Sequence, residues 1–260
     1  MRRRAILIML ITCLTLITCS ASRADDARGV GEPDPAGSPL PTQSATRQPT
    51  LPSSLRPAAT SVPLRLGDRG ALVALLQQRL AWMGYRIRMD ETLLDTYGTS
   101  TRKAVRRYQV KFGIKPSGIT GPGTWTRLLR DSWQVLPTPC RRKGKAICID
   151  KTGRVLRYVE NGVVRLTLDA RFGMPGMPTA EGTFRVLVKS RNHTSSRYHT
   201  WMPFALFFWR GQAVHYSPYF ARDGYQGASH GCVNLRDFRH AEWLFDQVPL
   251  GTTVHIYRSA

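Results

Sequence analysis

The sequence predicts an α+β protein: a small three-helix domain followed by a mostly β, sandwich-like domain. Three observations predict it. Residues 62–131 place apolar side chains at helical spacing, residues 132–260 hold several runs that alternate apolar and polar positions between turn signals, and a proline-rich stretch separates both from the N-terminus. The chain has 260 residues, enough for two compact domains once unstructured ends are discounted. Four segments follow: 1–24, 25–61, 62–131 and 132–260.

Residues 1–24 read as a secretory signal. Arg2, Arg3 and Arg4 form a basic start, residues 5–17 are almost wholly apolar, and Ser22 and Ala24 sit like an A-x-A cleavage site. The run is too short for an ordinary membrane span. Leu16-Ile17-Thr18-Cys19 also looks loosely like a lipoprotein box, with Thr18 where a smaller residue is usual, so lipid anchoring through Cys19 ranks second. Residues 25–61 are rich in Pro, Ser, Thr and Ala and contain no aromatic residue. Such a segment buries too little apolar surface to fold and serves as an extended spacer.

The net charge is +21. Four of these charges, Arg2, Arg3, Arg4 and Arg23, lie in the first segment, leaving about +17 on the rest. A basic exported chain is drawn to polyanions, here the anionic cell wall or a membrane surface; export removes nucleic acid as a partner. The blander reading is a basic proteome, since Arg outnumbers Lys.

In residues 62–131, Asp68 can cap a helix that runs to about Met83 with Val73, Leu76, Leu80 and Met83 on one face, and Gly84 stops it. A second helix begins near Thr99 or Ser100, buries Val105, Tyr108 and Phe112, and ends at Gly113. A third is capped by Thr120, carries Pro122 in its first turn, and turns Trp125, Leu128 and Leu129 inward. The loops Asp95-Thr96-Tyr97-Gly98 and Ser117-Gly118-Ile119-Thr120-Gly121 echo one another, each leading into a helix.

In residues 132–260, Asn161-Gly162 between two apolar runs predicts a hairpin. Phe184, Val186 and Val188 alternate as in a strand, residues 204–209 suit a buried strand, and Ala213-Val214 lead directly into His215. A helix over about 237–247 turns Phe238, Ala241, Leu244 and Phe245 to the core, and a last strand follows.

Beyond the signal three cysteines remain, Cys140, Cys148 and Cys232. Cys140 and Cys148 flank a polar stretch with a turn glycine and are placed to staple a loop outside the cell; the alternative is three reduced core thiols. A pair leaves Cys232 odd and a candidate reactive group. It sits in Ser229-His230-Gly231-Cys232-Val233-Asn234, downstream of His215-Tyr216-Ser217-Pro218. A thiol attacks as thiolate, which an imidazole favours, and Gly231 lets backbone N–H groups of Gly231 and Cys232 approach a developing oxyanion. These are the parts of acyl transfer.

The spacing of His215 and Ser-His-Gly-Cys-Val-Asn, with Pro178-Thr179-Ala180-Glu181-Gly182-Thr183-Phe184 upstream, resembles the L,D-transpeptidase catalytic domain over most of residues 145–257. Tyr97-Gly98, Thr101, Ala104-Val105, Tyr108-Gln109, Gly113, Gly118, Gly121 and Thr124 resemble the peptidoglycan-binding domain of type 1, which implies a noncatalytic wall anchor. The first resemblance implies Cys232 as nucleophile, His215 as base and acid, and the Tyr216 carbonyl as their third partner. It implies that Ser229, His230 and Asn234 shape the substrate pocket, with Tyr198 and Trp201 on a flap. The implied reaction splits a tetrapeptide stem through a thioester and transfers it to an amine of another stem, forming a 3→3 cross-link in peptidoglycan; water as acceptor gives L,D-carboxypeptidase activity. No metal or organic cofactor is implied, and carbapenems would acylate the cysteine.

Two other readings compete. Zinc accepts mixed His and Cys ligands, so His215, His230 and Cys232 could form a site, but His-x-Cys is not a usual spacing. A decayed, catalytically silent wall-binding protein is the other; the presence of Cys232, His215 and Asn234 together weighs against it.

Overall fold

A computed structural model describes residues 62–133 and 135–259. The expected signal, with its Cys19 alternative, and the expected spacer lie outside the described residues.

Four helices open the described chain: α1 (Ala71–Trp82), α2 (Met89–Leu93), α3 (Thr99–Lys111) and α4 (Pro122–Trp133). The α1 apolar stripe buries Val73, Leu76 and Leu80 completely. Asp68 does not cap it; its carboxylate accepts the Arg65 N–H at 2.8 Å, and Gly70 occupies the cap position without a side-chain bond. The short α2 escapes sequence reading because its residues are mostly polar. Its Glu91 does the capping one helix later, accepting the N–H groups of Ser100 (2.8 Å) and Thr101 (2.9 Å) at the start of α3. A carboxylate there meets both unpaired donors and the helix dipole. The echoing loops are held alike: Gln77 donates to the Thr96 carbonyl (2.9 Å), and Gln109 to that of Ile119 (2.8 Å).

A short helix α5 (Thr138–Arg141) leads into the β region, and a disulfide joins its Cys140 to Cys148. The strands are β1 (Lys145–Asp150), β2 (Val155–Glu160), β3 (Val163–Arg171), β4 (Gly182–Arg185), β5 (Val188–Thr194), β6 (Trp201–Trp209), β7 (Gln212–Tyr216), β8 (Val233–Leu235) and β9 (Thr253–Tyr257). Helix α6 (Pro218–Asp223) lies between β7 and β8, and α7 (Phe238–Gln247) between β8 and β9. Among the described residues the nine strands form one mixed sheet, ordered β4-β9-β1-β2-β3-β8-β7-β6-β5. The sandwich-like layering is thus one large curled sheet.

Asn161 (φ 50°) and Gly162 (φ 78°) make the β2–β3 turn, both left-handed as a tight hairpin requires. Phe184, Val186 and Val188 do not form one strand. The chain leaves β9 and joins β6 at this point, so Val186 is buried while Val188 is exposed. Asp237 caps α7 by accepting the His240 N–H at 3.0 Å. Ala241, Leu244 and Phe245 face the core, whereas Phe238 remains exposed.

The helical segment is docked on the sheet. Its apolar residues and Ala146, Cys148, Val155, Val159 and Val164 of β1–β3 form one core. Gly84 permits the approach: its φ is +88°, and a Cβ there would lie 2.7 Å from the Thr167 carbonyl of β3. Beside it Lys111, with a fully buried side chain, pairs with Asp169 of β3 at 2.8 Å, and Arg236 pairs with the same carboxylate. Burial works against the Asp169 charge, but Lys111 and Arg236 outweigh it and hold the carboxyl at about 2.

Removing one member of a buried pair strands the other charge. We expect Lys111→Met to lose about 3 kcal/mol in denaturant unfolding; a loss below about 1 kcal/mol, the worth of an exposed pair, would show that the docking does not depend on it. The Asp169 carboxyl titrates lower in the folded chain than the value of about 3.9 of an unfolded chain. Its contribution is therefore complete above pH 4 and disappears as pH falls toward 2. Acid unfolding should steepen in this window, and Asp169→Asn should remove that dependence.

Candidate active site

Strand register brings the chemistry together. β7 and β8 run parallel, with Val214 opposite Val233 and His215 opposite Asn234. On its other side β8 pairs with β3, placing Arg171 opposite Asn234. Directly paired residues share a face, and so do residues two apart. Arg171, Asn234 and His215 therefore form a row across three strands. Cys232, two residues before Asn234, stands on the same face in the adjacent row, beside Ala213. Tyr216 falls on the opposite face, where its ring lies 5.1 Å from Phe238 and 6.4 Å from Trp201. Its bulk is thus kept away from the histidine, and only its carbonyl reaches the site.

That carbonyl lies 2.5 Å from His215 Nδ1. A carbonyl only accepts, so Nδ1 carries the hydrogen and Nε2 is left with a free lone pair. His215 is 6% exposed. Burial lowers its pKa to about 4, against the smaller upward effects of the Tyr216 carbonyl and Asn234. The imidazole is neutral at pH 7. Asn234 Oδ1 is buried without a hydrogen-bond partner among the described residues, although it lies close enough to favour a protonated His215.

Cys232 is partly exposed, and burial raises its thiol above the ordinary range, opposed by the Ala213 N–H. Its Sγ lies 4.0 Å from the Gly211 carbonyl; among the described residues it makes no hydrogen bond to His215. The resting pair is a neutral thiol and a neutral imidazole.

The turn before β8 is braced from within. Ser229 Oγ donates to the Cys232 carbonyl at 2.6 Å and accepts the Gly231 N–H at 3.2 Å. At rest the Gly231 N–H is thus engaged by Ser229, and the Ser229 hydroxyl braces the turn. Gly231 is required here: φ is +113°, and a Cβ would lie 2.9 Å from Gln212 Nε2. The 178–184 segment supports the same turn. Thr179 Oγ1 accepts the Gly173 N–H (3.0 Å) and lies 3.5 Å from the Cys232 carbonyl. Gln212 accepts the Ala180 N–H (3.0 Å) and donates to the Pro178 carbonyl (3.1 Å).

His230 is exposed, and its ring stacks on Tyr198 at 4.1 Å, nearly parallel. Tyr198 belongs to the β5–β6 connection and also reaches Met177 Sδ (3.5 Å), so this stack joins the flap to the cysteine turn. Trp201 instead binds Asn192 Oδ1 at 2.7 Å through its indole N–H. A positive φ at Phe204 breaks the alternation of β6. Met202 consequently shares a cluster with Ala205, Ala213 and Cys232. His193 is on β5 opposite Met202, with its ring 4.9 Å from Phe207.

Sequence reasoning missed Arg171, Thr179 and Gln212 as supports of the site. Thr179 had a signal, since it belongs to a quoted motif; Arg171 and Gln212 gain their places only from register and turn contacts.

Comparison with known proteins shows the family. The L,D-transpeptidase catalytic domain family matches residues 144–256, and the peptidoglycan binding domain family matches residues 69–128. L,D-transpeptidase 1 of Mycobacterium tuberculosis is 32% identical over 110 residues, 37% of this chain, and the chain spans 43% of the length of that relative. The crystal structure of an L,D-transpeptidase from Stackebrandtia nassauensis is similar at 27% identity and TM-score 0.51, covering 75% of this chain and 94% of that one. An L,D-transpeptidase from Xylanimonas cellulosilytica is 31% identical, with TM-score 0.48, over 75% of this chain and 97% of that one. By its residues 144–256 the chain belongs to the L,D-transpeptidase catalytic domain family, with a peptidoglycan binding domain ahead of it.

Proposed function

We propose that this chain is an exported L,D-transpeptidase that forms 3→3 cross-links in peptidoglycan through a Cys232 thioester. The observation that carries the reading is His215. Its Nδ1–H is fixed on the Tyr216 carbonyl, leaving Nε2 as a base on the face that bears the Cys232 thiol.

In the reaction, His215 takes the thiol proton as Sγ attacks the carbonyl between the third and fourth residues of a tetrapeptide stem. The S–C bond forms, the C–N bond breaks, and the imidazolium returns its proton to the departing D-amino acid. An amine from a second stem then attacks the thioester, His215 accepts its proton, and Cys232 leaves and is reprotonated. Asn234 Oδ1, buried and unpartnered at rest, supports the transient imidazolium. The Cys232 N–H is the turn donor we assign to the oxyanion, since that of Gly231 is engaged. His230 and Tyr198 form the substrate-side wall. No step calls for a metal or organic cofactor.

Residues 132–260 act as the catalytic domain and 62–131 as the wall anchor, behind a cleaved signal and a spacer. Carbapenems are suicide acyl donors to the same thiol in this reading. Hydrolysis of the thioester would make the chain an L,D-carboxypeptidase instead.

Residues 25–260, incubated with a disaccharide-tetrapeptide, should yield a cross-linked dimer by mass spectrometry, together with a carbapenem adduct, and Cys232→Ala should lose both. Loss of the terminal residue without dimer would transfer the assignment to the carboxypeptidase. Neither product nor adduct from folded, reduced protein would leave a wall-binding protein without catalysis.

A further inference from the structure

A groove of about 860 Å³ opens on the other side of the β6–β7 turn, and the chemistry described above leaves it unused. Arg142, Lys143, Lys145 and Arg185 line it, and no carboxylate does. Arg142 and Lys143 are exposed and form no ion pair among the described residues. Lys145 approaches Glu160 at 3.9 Å and donates to the Gln247 carbonyl (2.9 Å). Arg185 is steadied by one bond, Nη1 to the Gly251 carbonyl at 2.9 Å. The opposite wall is aromatic. Trp209 is 40% exposed; its ring lies 5.3 Å from that of Phe184 and carries the Arg210 guanidinium 4.9 Å from its centroid, so a ligand meets the part of the ring these leave open.

The basic lip is held in shape. The Cys140–Cys148 disulfide closes the loop that carries Arg142, Lys143 and Lys145. Gly144 at its tip exchanges two 2.8 Å bonds with Asn161 of the β2–β3 turn. Of the four cations Glu160 offsets Lys145 alone, and holding Arg142, Lys143 and Arg185 around one concavity is unfavourable unless an anion compensates them. A constrained loop also spends less ordering entropy on binding.

We infer that this groove binds an anionic carbohydrate polymer, with sugar faces on Trp209 and carboxylate or phosphate groups on the four cations. A bare polyanion has no use for the aromatic wall, and an apolar peptide none for the cations. A disulfide-stapled lip suits a ligand met outside the cell. The β6–β7 turn links the groove to the site along the chain: Trp209 is two residues from Gly211, whose carbonyl lies 4.0 Å from Cys232 Sγ. A polymer seated in the groove would give the β domain a tether of its own, separate from the helical domain.

The inference rests on the wall location proposed above but not on the thiol chemistry. The test uses residues 25–260 labelled with ¹⁵N, the Trp209 indole resonance being assigned through Trp209→Phe. Two probes are titrated: glycan strands freed of stem peptides, and the phosphodiester-linked polymer released from sacculi by mild acid. A saturable shift of the Trp209 indole with either probe is expected. The variant Arg142→Gln/Lys143→Gln/Arg185→Gln should bind at least about tenfold more weakly at low salt, and the difference should shrink as salt screens it. Alkylation of Cys232 in that variant should match the parent, which separates loss of binding from misfolding. A response to glycan strands alone identifies peptidoglycan as the source, and a response to the phosphodiester polymer alone identifies that polymer. No shift with either probe, equal binding by the charge variant, or equally tight binding of an oligothymidylate would overturn the inference, whatever the outcome for cross-linking.

Discussion

Parallel pairing of β7 with β8 is the constraint on which the site depends. It sets His215 opposite Asn234 and puts Cys232 on the same face. A slip of one residue would turn the histidine to the opposite face of the sheet. The register is secured from both sides. β3 fixes β8 through Ala170 and Arg171, and β6 fixes β7 through Leu206 and Phe207. The turn that delivers Cys232 is fixed separately, by hydroxyls of Ser229 and Thr179 around one carbonyl. The reactive atoms are therefore held by backbone geometry, and their own side chains need little hydrogen bonding at rest.

The same frame connects the helical domain to the site. Lys111 at the end of α3 and Arg236, just after β8 and four residues along the chain from Cys232, meet on Asp169. The shared apolar core and this ion cluster make the helical domain part of the catalytic frame. In the proposed reading, a helical domain docked in this way would give the catalytic face a fixed orientation toward a bound polymer, whereas a flexible tether would give only proximity.

Much of this was legible in the sequence because it is local. The three longer helices of the first domain follow from apolar spacing, the β2–β3 hairpin from Asn161-Gly162, and the cysteine turn from Ser229 to Asn234. What was not legible arises from contacts between distant segments. Glu91 caps a helix to which it does not belong. The bond from the Gly231 N–H to Ser229 Oγ exists only once the turn is closed. Arg171 is one arginine among many until β3 pairs with β8. Phe204 gives no sign in its residue type that its φ will be positive, so the placing of Met202 and His193 near the site was out of reach. The Lys111–Asp169 pair spans 58 residues, and no spacing rule links them.

The central claim is that catalysis starts from a neutral pair, with His215 held unprotonated by burial and its Nδ1–H fixed on the Tyr216 carbonyl. Nuclear magnetic resonance of ¹⁵N-labelled imidazole tests it most directly. The His215 nitrogens should keep the shifts of a neutral, Nδ1-protonated ring from pH 8 down to pH 5, with titration only near pH 4. A His215 midpoint near the ordinary value of about 6.5, or an imidazolium persisting at neutral pH beside a Cys232 thiolate, would contradict it and replace the neutral pair with an ion pair.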